Sequence, residues 1–116
     1  MDISANSLRD KTISYFSVSY DWESGTHIAE IAVRSSEGVV DRYRIKQLSE
    51  LNISESFGSQ HIAFCSLIAS PGRVYLSLDP WTEGVESDRD NFTFLGSEIL
   101  KLDQETNAED RDGVIG

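Results

Sequence analysis

The sequence predicts a mainly β fold: about six strands of antiparallel sheet, a three-stranded N-terminal meander followed by a hairpin and a final strand, with a single sheet, a sandwich and a barrel all open. Three observations predict it. Apolar and polar residues alternate in several short stretches, the pattern of a half-buried strand. Glycine-bearing turn signals (Ser24-Gly25, Glu37-Gly38, Pro71-Gly72) separate those stretches. The apolar run "HIAFCSLIA" is closed by such a turn and followed by "RVYLSLD", which reads as a buried hairpin.

In "TISYFSVSYDW", Phe16, Val18, Tyr20 and Trp22 recur at period two, while Ile13 and Tyr15 have the opposite parity. That change predicts a bulge near Tyr15 and Phe16. A two-residue loop at Ser24-Gly25 pairs Tyr20 with Ala29, Val18 with Ile31 and Phe16 with Val33, so that each apolar pair shares a face. The next connection fits a three-residue loop of Ser36, Glu37 and Gly38, glycine supplying the left-handed position. It sets Ile31 opposite Tyr43, Ala29 opposite Ile45 and Glu30 opposite Arg44. Phe16, Val18, Tyr20, Ile31, Val33, Tyr43 and Ile45 are then expected in the core.

"KQLSELN" loses the alternation, and Leu48 with Leu51 at i, i+3 predicts one short helix or turn near residues 46–52, which leaves an α+β domain as the alternative class. A four-residue turn around Pro71-Gly72 pairs Ala69, Leu67 and Cys65 with Val74, Leu76 and Leu78. The last strand is expected in "NFTFLGSEILKL", kinked or bulged at Gly96. Residues 1–102 are expected as a single globular domain, and 103–116 as an acidic, disordered tail.

At 116 residues and 39% hydrophobic content, the chain has room for one core. No apolar stretch approaches the ~20 residues of a membrane span, and the N-terminus carries no basic-then-apolar leader, so a cytoplasmic protein without membrane contact is expected. The formal charge of −10 argues against nucleic acid and for a basic partner. It is unevenly placed: residues 79–90 hold five acids against Arg89, and 103–116 five acids against Arg111.

Assembled chemistry is not evident, and no catalytic residue, metal or cofactor is expected. Glu86, Asp88 and Asp90 share the alternate spacing of a calcium loop, but Asn91 stands at its glycine position and Ser97 at its bidentate glutamate. On a strand, His61 and Cys65 would stand roughly 13 Å apart. His27 and Glu30 would point to opposite faces. Cys65 reads as a small buried hydrophobe. Arg42, Arg44 and Lys46 form a basic row that reads as a solvated sheet face.

The 79–90 segment is the candidate site. It is long for a connection, and it combines Trp81, a favoured interface anchor, with acids that steer a cation. Asp79, Trp81, Glu83, Glu86, Asp88 and Asp90 are the expected partner-binding residues. The expected function is a non-enzymatic acidic binding protein, an immunity or inhibitor protein that neutralises a basic partner such as a bacterial nuclease toxin. That comparison rests on size and charge. The alternative is a small enzyme or ligand-binding β domain that uses the carboxylates of the same loop.

Overall fold

The computed structural model describes residues 3–53 and 61–102. Among them eight strands form two four-stranded antiparallel sheets: β1 (Thr12–Asp21), β2 (Thr26–Arg34), β3 (Val40–Leu48), β4 (Glu50–Asn52), β5 (Ser66–Ser70), β6 (Arg73–Asp79), β7 (Asn91–Gly96) and β8 (Glu98–Leu102). The orders are β1-β2-β3-β8 and β4-β7-β6-β5. The mainly β class is as expected. The expected tail lies outside the described residues.

Two long stretches each serve both sheets. β3 runs into β4 and β7 into β8, and the two stretches stay paired through the change of sheet. Lys46 lies opposite Glu98, and Glu50 opposite Leu95, so the β3–β4 side carries one residue more than its partner. That extra residue is a bulge, with Gln47 at a φ of 52°. The bulge breaks the alternation in 46–52: where a short helix or a turn is expected, the chain makes a bulged corner between the sheets. Across the corner, Ser97 N–H donates to Lys46 O (2.9 Å) and Ser49 N–H to Leu95 O (2.7 Å). Gly96 is the close-approach residue: a Cβ there would stand 2.7 Å from both Ile45 Cγ2 and Lys46 O. The expected kink at Gly96 is therefore the point where one predicted strand becomes two.

The β2–β3 register and its Ser36-Glu37-Gly38 loop are as expected, with Gly38 at a φ of 89°. The β5–β6 pairing of Ala69 with Val74 and of Leu67 with Leu76 is also as expected. The first hairpin differs. Phe16 lies opposite Ile31, Val18 opposite Ala29 and Tyr20 opposite His27, two residues from the expected register. Asp21 is the reason: its carboxylate accepts from Glu23 N–H (3.1 Å) and the Ser24 hydroxyl (2.9 Å), while Gly25 N–H donates to Asp21 O (2.8 Å). That capped turn lengthens the loop to four residues, 22–25. A shift of two keeps facing parity. It also slides the end of β1 toward the hairpin tip, and Val18 and Tyr20, expected in the core, are each 40% exposed. The bulge falls between Ile13 and Tyr15.

β5 begins only at Ser66. Upstream, Ile62 is bound by the N-terminal segment, donating to Lys11 O (2.8 Å) and accepting from Asp10 N–H (2.6 Å). The core between the sheets holds Leu8, Ile31, Val33, Tyr43, Ile45, Ile62, Leu76 and Phe94. Phe16 meets Phe92 and Phe94 edge-on at 5.3 and 5.7 Å. Each large side chain buried there contributes roughly 2 kcal/mol. No helix among the described residues is long and apolar enough to cross a membrane.

Candidate functional site

The 79–90 segment joins β6 to β7 at one end of the second sheet. Asp90 organises it. This carboxylate is 3% exposed and accepts from the Tyr75 hydroxyl (2.5 Å), Trp81 N–H (2.7 Å) and Ser87 N–H (3.1 Å). A buried carboxylate is tolerated only with such donors. Burial and then the bond to Asp90 push the Tyr75 phenol well above its usual range, so it stays protonated and donating. Asp90 is thereby a structural clamp closing the loop on itself.

The loop tip is a tight turn in which Val85 N–H donates to Thr82 O (3.1 Å) and Gly84 takes the left-handed position, φ 88°. Gly84 N–H also donates to the Ser66 hydroxyl (2.8 Å). Glu83 turns inward: it pairs with Arg9 (2.8 Å) and accepts from Cys65 N–H (3.1 Å). Glu86 pairs with Arg73 (2.8 Å). Asp79 accepts from the Asn91 amide (3.0 Å). Asp88 is exposed and makes no ion pair among the described residues. Trp81 is 65% exposed, with the Arg89 guanidinium 4.9 Å from its ring centroid.

The six expected residues therefore share one loop but not one role. Asp79, Trp81 and Asp88 face outward, Glu83 and Glu86 are held by this chain's arginines, and Asp90 is inside. Sequence reasoning missed the neutralising arginines. Arg9 lies 74 residues from Glu83, and no local pattern signals that contact. Past the clamp, Phe92 has a φ of 51°, a conformation that costs a bulky residue about 1–3 kcal/mol and persists where packing fixes it.

Cys65 is the small, fully buried side chain that the sequence suggested. Burial, followed by the Glu83 charge and partly offset by Arg9, pushes its thiol up to about 12. Arg44 (2.7 Å) and Arg42 (3.5 Å) converge on Glu30. Among the described residues no three metal-ligating side chains gather at one point. A cleft of about 600 Å³ lies beside β5 and β8, lined by Leu67, Ala69, Ile99 and Leu100 with Arg73 and Glu98. A second, of about 330 Å³, is walled by Asp21, Lys46 and Glu98. None of the six loop residues lines either.

Comparison of the chain with protein-family models, with curated proteins and with solved structures finds no match.

Proposed function

We propose that the protein is a non-enzymatic binding protein that docks a basic protein through its 79–90 loop, as an immunity or inhibitor protein shields the cationic cleft of a nuclease toxin. The observation that carries this reading is Trp81, a large aromatic side chain 65% exposed on a loop whose backbone is already pinned. A fixed loop loses little conformational freedom on binding, and an exposed indole is a natural anchor. Asp79 and Asp88 are the acids beside it that no arginine of the described residues neutralises. Glu83 and Glu86 contribute less, because Arg9 and Arg73 already screen them. The net charge of −10 favours encounter with a cationic partner from a distance. Catalysis by the loop carboxylates is disfavoured because Asp79, Glu83, Glu86 and Asp90 are each engaged by different groups, and none of them lines the two clefts above.

The test is inhibition of purified cationic nuclease domains from bacterial toxins. Against a nuclease that the protein inhibits, Trp81→Ala should weaken binding at least tenfold, mainly through faster dissociation. Asp79→Lys with Asp88→Lys should slow association and flatten its dependence on salt. Inhibition unchanged in the triple variant would reject this loop as the docking surface.

A further inference from the structure

Among the described residues, the outer edge of β1 is unlike those of β4, β5 and β8. β4 is three residues long and carries Glu50, β8 carries Glu98 and Lys101, and β5 is five residues ended by Pro71. Short length, charge and proline are the usual protections of an edge. β1 has ten residues, no charged side chain in 12–20, and Tyr15, Val18 and Tyr20 exposed at 50, 40 and 40%. Its ladder partner among the described strands is β2 alone, with one isolated bridge from Thr12 to His61 at its start.

We infer that β1 pairs antiparallel with β1 of a second copy, joining two first sheets into one eight-stranded sheet about a two-fold axis at Val18. Three features select a second copy over a foreign chain. The bulge lies between Ile13 and Tyr15, so the regular part of β1 is 15–21, and its midpoint is Val18. Centred there, Val18 faces its own copy, Phe16 faces the second copy's Tyr20, and Ser17 faces Ser19, so apolar meets apolar on one face and hydroxyl meets hydroxyl on the other. The bridge at Thr12 falls outside the paired segment. Residues 12–20 of this edge are also uncharged within a chain of net charge −10, and Asp21, at the end of the paired segment, faces the second copy's Tyr15 and not another acid. Two like-charged copies approach most easily along such a stretch, whereas a cationic partner finds no counter-charge there. A strand paired with its own copy closes as an isologous dimer and leaves no growing end at that edge. This dimer does not depend on the 79–90 loop.

The experiment is sedimentation equilibrium of the full chain from micromolar to millimolar concentration, with three variants. The native protein should reach twice its 13.0 kDa mass. Val18→Lys sets two lysines face to face on the axis and should shift the dimer dissociation constant upward at least tenfold, with an unchanged circular dichroism spectrum. Val18→Cys should form an interchain disulfide under mild oxidation, because the axis brings residue 18 to itself, while Ser14→Cys should not. A monomer throughout the range, an assembly larger than two, or a dimer indifferent to Val18→Lys would overturn the inference. The first of these results would leave the edge to an extended segment of another protein.

Discussion

The 79–90 loop and the tip of the β1–β2 hairpin both present a tryptophan to solvent, but they are held in different ways. In the loop, a buried carboxylate takes three hydrogen bonds, and two further acids are tied to Arg9 and Arg73. At the hairpin tip, Trp22 is 86% exposed and meets Tyr20 edge-on at 4.6 Å, and Tyr20 in turn meets His27 at 5.0 Å. The loop is organised by a buried carboxylate and two ion pairs, and the hairpin tip by the local Asp21 cap with a row of exposed aromatic rings beside it. Acids in a loop can therefore be scaffold, and alternating aromatics on a strand can be surface. Capacity for contact is written in residue type, whereas use depends on which distant groups the fold brings near.

The sharpest way to break this comparison is to remove the clamp. Asp90→Ala leaves the Tyr75 hydroxyl and the N–H groups of Trp81 and Ser87 without their acceptor, and should cost about 3 kcal/mol in urea unfolding. If the cost is below about 1 kcal/mol, the loop is no more organised than the hairpin tip.

Alkaline titration probes the ground beneath the loop. The Cys65 thiol ordinarily titrates near 9 and is pushed up to about 12 in the folded chain, by burial first and the Glu83 charge second. Its contribution to stability is fully present below pH 9 and is lost as pH rises from 9 toward 12, because the unfolded chain releases the proton first. Over that window the slope approaches ~1.4 kcal/mol per pH unit, and Cys65→Ala should remove it. Glu83→Gln has a smaller effect. It keeps an oxygen for Cys65 N–H but loses the charge facing Arg9, and should cost about 1 kcal/mol in the same unfolding measurement.

Much of the fold was legible because its signals are local. Alternation and a glycine at the left-handed position set the Ser36-Glu37-Gly38 loop and the β2–β3 register, and Pro71-Gly72 set the second hairpin. The failures have two causes, a side chain acting on backbone and an extra residue in a strand. The Asp21 carboxylate lengthened a turn by two residues, and a one-residue bulge at Gln47 produced leucine spacing that imitates a helix. The loop was visible in the sequence as a concentration of acid around Trp81. Its internal division was not, because Asp90 is buried by Tyr75, fifteen positions away, and Glu83 is neutralised by the N-terminal segment.

The smallest effect separates the two tryptophans themselves. Arg89 over Trp81 is a cation–π contact at an exposed site, so a double-mutant cycle of Trp81→Ala and Arg89→Ala should return a coupling of about 0.5 kcal/mol. Among the described residues no cation is stacked on Trp22, and Trp22→Ala should change stability by less than about 0.5 kcal/mol. The coupling bears on docking because a partner's arginine would compete with Arg89 for the same ring face. Arg89→Ala should then tighten the binding of a cationic partner while slightly loosening the free protein. Weaker binding in that variant would instead make Arg89 a contact, and would place the partner's acids, not its bases, against the loop.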